Sequence, residues 1–352
     1  MREERLTQRD EFARRQAEMT SNWYENVKKK YGDVDQYIRL RHEAYMGRWR
    51  EAMRFVEKGS CILDVGGGNL FANLVQYIKD MNLDYHYLDI DPGAVEGSRA
   101  LLTEYGMAPS QANHGFNDKF AYPAEKFDAV FSSHCIEHSI DLASTFKELN
   151  RIIKTGGYLL MAVPFGWEEN PEHPYFFDPD EWVALIEDAG FEIRVAQIGR
   201  EYPEAGCDFF IAGKKIAAAN ECPRIRATLY QKENYKFVDF RSPSIHYFGD
   251  FALADNGSAM HMRGIDWKIS IFSQEKMSEF LPIFYRHDWS GQIAITDGFG
   301  NEVYDNLNSW FPYIGVSRLN SFDKFDNTLI KCVGKSASSK STEGVFYGYM
   351  WK

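Results

Sequence analysis

The chain has 352 residues, of which 44% are hydrophobic and 26% are charged, and this composition is that of a folded globular protein rather than a disordered or fibrous one. Its length favours two domains, each with its own buried core. The formal net charge of -11 opposes binding to nucleic acid, because a polyanion meets net repulsion. We therefore expect no nucleic-acid partner.

The cysteines and the apolar runs bear on the compartment. The five cysteines lie far apart, with no C-x-x-C pair to indicate a zinc or redox centre. No apolar run approaches the roughly 20 residues that span a bilayer, and the charged N-terminal segment lacks the apolar core of a signal peptide. We expect reduced thiols, no membrane span and a cytoplasmic location.

Residues 1–58 mix charged with apolar positions, among them Trp23, Tyr45 and Trp49, and this pattern predicts an N-terminal helical segment packed on a neighbouring domain. In residues 59–215, short apolar runs alternate with helical stretches. Runs bounded by Gly, Pro and Asp predict a doubly wound α/β fold, with a mostly parallel sheet covered on both faces. The apolar runs are 61–66, 85–90, 127–134, 156–164, 191–199 and 207–215.

After residue 215 the alternation stops, and residues 216–352 predict a separate β-rich accessory domain. Asp297 and Gly298 lie between two strand-like runs, as the residues of a hairpin turn do. Aromatic residues stand here among Asp, Asn and Gly, a mixture that suits sugar rings, although most aromatic side chains of a β domain fill its core. The aromatic set includes Trp267, Trp289, Trp310, Phe311, Tyr313, Tyr347, Tyr349 and Trp351.

The first apolar run ends at Asp64 and is followed by Gly66, Gly67 and Gly68, after which a helical pattern begins. Glycines let the backbone approach a ligand closely and adopt dihedral angles closed to other residues. A dinucleotide site would require a third spaced glycine where this chain has Phe71, and it would not require the acid. The segment therefore argues against a dehydrogenase and favours another nucleotide-like cofactor.

The segment L-D-V-G-G-G-N resembles the first motif of class I methyltransferases, in which a strand-end acid begins a D-x-G-x-G turn. Leu70 departs from the family, which often has a further glycine at this position. The resemblance implies S-adenosylmethionine as the cofactor, held by Asp64 and the three glycines. It also implies a ribose contact for Asp89 with Ile90 beside it, and an adenine contact near Phe116 and Asn117.

Later segments extend the resemblance from about residue 60 to 215. The runs at 127–134 and 156–164, with the helical stretch between them, resemble the fourth and fifth strands of the family and their connecting helix. A helix that opens with Pro-Asp and leads to A-G-F and an edge hairpin resembles the family's common ending. These segments favour a methyltransferase sheet over an unrelated α/β enzyme with a similar glycine turn.

The chemistry of methyl transfer points to a second set of residues. The methyl group of a sulfonium transfers in line, so positioning supplies much of the rate. A hydroxyl acceptor also benefits from a general base, a role that histidine fills most often. His134, Glu137 and His138 leave the fourth strand where this fold has its acceptor, and the two histidines are the candidate bases. The alternative is that Glu137 and His138 only fix the loop.

A metal site is the other interpretation of these residues. His173, from a later loop, would complete a set of three histidines and one glutamate if it reached the same pocket. Some relatives bind a divalent metal between an E-x-x-E-H segment and a later histidine. Here His134 replaces the first acid, which weakens the analogy. A divalent metal is therefore not the favoured hypothesis.

Three functions remain open on the sequence. The leading hypothesis is O-methylation of a sugar in a surface glycan or glycoconjugate pathway, with the β-rich domain recognising the large acceptor. The second is O- or N-methylation of a small molecule such as a natural product or phenol, with the β-rich domain forming a homo-oligomer. The third is a noncatalytic binding protein that retains the fold, against which the intact acid and glycine positions argue.

Overall fold

The computed structural model describes residues 32–168, 172–199, 208–217, 231–254, 256–273, 277–318 and 327–352. Before residue 32 it describes residues 11, 14, 15, 18, 25 and 27–29. The chain divides into two compact units, one from residues 1–164 and 180–227 and the other from 165–179 and 228–352. The chain thus enters the second unit briefly at 165–179, and the bounds drawn from the sequence at 58 and 215 stay predictions. Trp23 lies outside the described residues.

The first unit alternates strands and helices, as the sequence predicts. Helices α1 to α5 are Val34–Ala52, Ala72–Asp80, Pro92–Glu104, Leu142–Ile152 and Pro179–Asp188. Strands β1 to β7 are Cys61–Val65, Asp84–Asp89, Ala112–His114, Phe127–Ser133, Ile153–Val163, Phe191–Gly199 and Asp208–Lys215. The structure adds β3, whose three residues are too few to show a periodic pattern.

These strands form one seven-stranded sheet in the order β3-β2-β1-β4-β5-β7-β6. Neighbours among β1 to β5 are parallel, whereas β7 is antiparallel to both β5 and β6. The antiparallel strand distinguishes the sheet from the dinucleotide-binding order 3-2-1-4-5-6. The strand order reverses at β1, and open α/β sheets bind ligands beyond the carboxyl ends of the strands at such a point.

Helices cover both faces of this sheet. On one face Trp49 of α1 packs edge-on against Phe131, with ring centroids 4.8 Å apart, and Ala212 of β7 belongs to the same buried cluster. The next residue of β7, Gly213, points to the opposite face, where a β-carbon would lie 3.2 Å from Ile186 of α5. The doubly wound α/β prediction is therefore confirmed.

A buried ion pair fixes α1 to the edge hairpin of the sheet. Arg48 Nε donates to Asp208 Oδ2 at 2.7 Å, and Arg48 Nη1 donates to Glu51 Oε2 at 2.6 Å. The side chains of Arg48 and Asp208 are only 8% and 1% exposed. A buried charge that loses its partner is strongly destabilising, so this pairing specifies where α1 lies.

The second unit is antiparallel. Strands β8 to β16 are Lys236–Asp239, Ile245–Leu253, Met260–Phe272, Phe280–Arg286, Gln292–Thr296, Glu302–Asn306, Tyr313–Val316, Asn327–Gly334 and Gly344–Trp351. The first part of β10 pairs with β16 and its last part with β15, so the sheet branches. Ile293 and Ile330 of one branch share a core around Trp267 with Phe284 and Phe346 of the other. The predicted β-rich region is confirmed.

The predicted hairpin joins β12 to β13. Asp297 Oδ1 accepts hydrogen bonds from the backbone N–H groups of Phe299 and Asn301, at 2.9 and 2.8 Å. An aspartate that bonds to its own following backbone is a common way to close a turn. Within the described residues of both units, no helix combines the length and the apolar composition needed to cross a bilayer.

Candidate active site

A cleft opens at the carboxyl edge of the first unit's sheet, beyond the ends of β1, β2 and β4. Its lining residues are Val65, Gly66, Leu88, Asp89, Ile90, Gly115, Phe116, Asn117, Asp118, His134, Cys135, His138 and Ile140. Of the eleven residues predicted to bind the cofactor or to act in catalysis, seven therefore line one cleft. The other four do not line it, and these are Asp64, Gly67, Gly68 and Glu137.

The turn after β1 requires glycine for two independent reasons. Gly66 and Gly68 have φ angles of +71° and +61°, in the left-handed region that side chains disfavour. A β-carbon at Gly66 would also overlap the sulfur of Cys135. Burial raises the pKa of the Cys135 thiol, which therefore stays neutral and packs against the turn. Nothing in the sequence marks Cys135 as a site residue.

Asp64 lies behind the turn rather than in the cleft. Its carboxylate is fully buried and accepts hydrogen bonds from the hydroxyl of Tyr45 at 3.0 Å and from that of Tyr85 at 2.9 Å. Burial raises the pKa of Asp64 to about 7, although the two hydroxyls act in the opposite direction. A β-carbon at Gly67 would come within 3.0 Å of this carboxylate. Asp64 thus supports the turn from below.

Helix α1 also contacts the far end of the glycine turn. The ring of His42 stacks on that of Phe71, the residue that precedes α2, with centroids 4.0 Å apart and planes 6° from parallel. Burial, and secondarily the charge of Arg41, lowers the pKa of His42, which favours a neutral ring in this stack. Tyr45 meets Phe71 edge-on at 6.0 Å. One helix therefore braces both ends of the turn.

Asp89 ends β2 at the cleft. Its Oδ2 accepts from the N–H of Gly68 at 3.0 Å and lies 3.1 Å from the Tyr87 hydroxyl, while its Oδ1 accepts from the N–H of Asp91 at 2.8 Å. Burial raises the pKa of Asp89, and these donors oppose the rise. A carboxylate offers about four acceptor positions, so one remains on Oδ1. Asp91 itself caps α3 by accepting from Gly93 N–H at 2.8 Å.

Asn117 is held by protein partners where the cleft meets α4. Its Nδ2 donates to the Ser139 hydroxyl at 2.9 Å, and its Oδ1 accepts from the Thr145 hydroxyl at 3.4 Å. Both ends of the amide are therefore engaged with the loop after β4 and with α4. The neighbouring Phe116 also lines the cleft.

The segment after β4 presents two imidazoles to the cleft with a buried carboxylate between them. His134 has a φ of +50°, which is uncommon for a residue other than glycine, and its N–H donates to Ala162 at 2.9 Å. Glu137 is 3% exposed, and its Oε1 lies 3.6 Å from His134 Nδ1 and 3.8 Å from His138 Nε2. This carboxylate therefore lies close to both imidazoles.

His173 belongs to the second unit, where its Nδ1 is hydrogen-bonded to the carboxylate of Glu168. The sequence offers no sign of this local partner. The hypothesis that His173 joins the residues after β4 around a metal stays a prediction.

Asp64→Asn should remove the part of the pH dependence of the free energy of unfolding that the Asp64 carboxyl contributes. The folded state raises the pKa of Asp64 to about 7, so folding favours the protonated carboxyl, and the stabilisation present in acid is lost as the pH rises towards 7. We expect this group to lower the free energy of unfolding by a few kcal/mol, on the order of 4, between about pH 4 and about pH 7. Urea unfolding followed by circular dichroism at several pH values measures the change.

Asp80→Asn is the matched control, because Asp80 is an exposed aspartate at the end of α2. It should leave the wild-type dependence on pH intact. An Asp64→Asn variant whose unfolding free energy follows the same pH dependence as the wild type would show that this carboxyl does not titrate as described.

Residues 37–195 match a family model described as a methyltransferase domain. No curated protein matches the chain. Among solved structures, the chain is similar to one from Haloferax volcanii, a complex of the Trm112 methyltransferase activator with a methyltransferase. The identity is 18%, the TM-score is 0.42, and the match covers 55% of this chain and 98% of that one.

A second similar structure is an S-adenosylmethionine-dependent methyltransferase from Aquifex aeolicus, with 21% identity and a TM-score of 0.39. This match covers 48% of this chain and 89% of that one. Structural similarities this weak do not support an assignment of function. The assignment of a methyltransferase domain depends on the family model, the glycine turn and the cleft. Residues 37–195 therefore form a methyltransferase domain.

Proposed function

We propose that the cleft binds S-adenosylmethionine and that the enzyme transfers its methyl group to a hydroxyl of a sugar. The observation that carries this proposal is the convergence of Gly66, Asp89 and His134 on one cleft at the switch point of the sheet. When bound, S-adenosylmethionine supplies an electrophilic methyl group on a sulfonium. The residues of the chain bind it, orient the acceptor and remove a proton.

Cofactor binding is supported by two features of the cleft. The open acceptor position on Asp89 Oδ1 suits a ribose hydroxyl, and the buried carboxylate is already fixed by its bonds to Gly68 and Asp91. Gly66 lines the cleft without a side chain, so a ligand can approach its backbone closely. Phe116 and Ile90 offer apolar contact for an adenine ring.

The proposed general base is His134. It is the first residue after β4, and it keeps a backbone conformation that costs free energy for any residue other than glycine, as residues at functional sites often do. Glu137, which does not line the cleft, would stabilise the imidazolium that forms when His134 takes the acceptor's proton. His138 lines the same cleft and is the second candidate. Neither role requires a metal.

Two exposed tryptophans of the second unit support the proposal that the acceptor is a sugar. Of its aromatic residues, Trp267 and Tyr349 are buried, whereas Trp289 and Trp310 are 51% and 80% exposed. His287 and Asn308 form a parallel bridge, and each exposed tryptophan follows its bridge partner by two residues. Both exposed tryptophans therefore lie just beyond this bridge.

Polar groups surround these two tryptophans. Asn308 accepts a hydrogen bond from the Ser338 hydroxyl at 2.8 Å, and Asp288 pairs with Lys340. The ring of Phe311 packs against Trp310 edge-on at 4.8 Å and so steadies it. Rigid indoles suit the apolar C–H faces of a pyranose, and amides and hydroxyls suit its hydroxyl groups. In the small-molecule alternative, these exposed rings would instead form the contact of a homo-oligomer.

His134→Ala should lower the rate of methyl transfer by about 10² to 10⁴-fold, because the acceptor loses its base. The dissociation constant for S-adenosylmethionine should change by less than about twofold. Transfer of labelled methyl to dextran, mannan, xylan and laminarin measures the rate, with catechol as the small-molecule acceptor. His138→Ala, in the same cleft, should retain more activity. Full activity in His134→Ala would remove His134 from the reaction, and labelling of catechol alone would favour the second hypothesis.

Trp289→Ala and Trp310→Ala should each weaken polysaccharide binding by about three- to tenfold, since each removes one stacking contact. Retardation in gels that contain one of the same four polysaccharides measures binding without any cofactor. Tyr304→Ala is the control, because Tyr304 is 65% exposed on β13, before the bridge. Absence of retardation, with concentration-dependent self-association that the tryptophan variants abolish, would favour a homo-oligomer instead.

A further inference from the structure

A second cluster of reactive side chains lies at the amino end of β1 and β2, away from the cleft at their carboxyl ends. Cys61, the first residue of β1, is paired in register with Asp84, the first residue of β2. His86 follows Asp84 by two residues, so both project from the same face of the sheet. The sheet register therefore brings a thiol, a carboxylate and an imidazole together.

The three ligand atoms, one from each of these side chains, lie within 4.8 Å of one another. His86 Nε2 is 3.5 Å from Asp84 Oδ1. In a tetrahedral zinc site, ligand bonds of about 2.0 to 2.3 Å put the ligand atoms roughly 3.3 to 3.8 Å apart. Side-chain rotations that shorten these separations by about 1 Å would therefore form such a site.

We propose that Cys61, Asp84 and His86 bind a divalent transition-metal ion of the zinc type, with water in the fourth position. A thiolate selects against Mg²⁺ and Ca²⁺, and the mixture of sulfur, nitrogen and oxygen suits Zn²⁺ or Co²⁺. Cys61 is half-buried and Asp84 is exposed, so an ion has a path to the ligands. The ion would join β1 to β2 at the end opposite the cofactor turn.

Binding requires one proton to leave. Burial, together with the hydrogen bond from its thiol to Asp84, raises the pKa of Cys61 to about 12, so the thiol is protonated before the ion arrives. The sulfur–hydrogen bond breaks, the sulfur–metal bond forms, and the proton passes to solvent. Affinity therefore rises with pH.

Neighbouring charges modify the affinity. The Asp128 carboxylate accepts from the N–H of Cys61 at 2.8 Å, although Lys154 pairs with it at 2.7 Å. Lys126 is close enough to lower the pKa of Cys61, and its positive charge opposes a bound cation. Gln111 Nε2 donates to Asp84 Oδ1 at 2.8 Å and must share or release that oxygen.

Titration of the metal-free, reduced full-length protein with Co²⁺ tests this proposal. Tetrahedral Co²⁺ bound to a thiolate absorbs in the near ultraviolet by charge transfer and strongly in the visible. We expect one equivalent of Co²⁺ to produce both bands and Zn²⁺ to displace it. Cys61→Ser should abolish the charge-transfer band, and His86→Ala should weaken binding at least tenfold. Lys126→Met should strengthen binding several-fold, because it removes a repelling charge.

Cys332→Ser is the control for general thiol binding, since Cys332 is a buried cysteine of the second unit, and it should keep both bands. Circular dichroism checks that each variant is folded, and only folded variants are compared. A wild type without the bands would overturn the proposal, as would bands that persist in Cys61→Ser. Methyl transfer is not needed for this readout, so the outcome is independent of the proposed function.

Discussion

The structure depends on a carboxylate buried beneath the glycine turn. A buried carboxyl is costly unless its oxygens are satisfied, and Asp64 meets this condition through Tyr45 of α1 and Tyr85 of β2. A β-carbon at Gly66 would meet the Cys135 sulfur, and one at Gly67 would meet the Asp64 carboxylate. Gly68 has a positive φ angle that favours glycine. The N-terminal helix thus supports the glycine turn at which we propose that the cofactor binds.

The fold was largely predictable from the sequence because its signals are local. Apolar runs separated by helical patterns predicted the doubly wound sheet, and the Asp297 turn predicted a hairpin that the structure contains. The glycine turn was predicted from residue type and spacing, and the role of Asp89 from the resemblance to class I methyltransferases. Both Gly66 and Asp89 line the cleft, and their contacts with the cofactor remain proposals.

The contacts that support the glycine turn and the division into units were not predictable, because they depend on segments that are distant in the chain. Tyr45 is 19 residues before Asp64 in the chain, and only packing of α1 on the sheet brings the two together. The sequence gives no sign that Cys135 has a special role, because only the folded loop after β4 brings its sulfur against Gly66. Likewise, residues 165–179 carry no signal that they belong to the second unit. Asp64 lies behind the turn and does not line the cleft, and its predicted contact with the cofactor stays a prediction.

Calorimetric binding of S-adenosylmethionine to the wild type and to Asp89→Asn tests the central claim most directly. Asp91→Asn is the matched control, because it removes a nearby carboxylate that does not line the cleft, and asparagine also caps a helix. We expect micromolar or tighter binding to the wild type and to Asp91→Asn, and at least about tenfold weaker binding to Asp89→Asn, which loses a charged acceptor. Failure of the wild type to bind, or equal binding by all three proteins, would contradict the account.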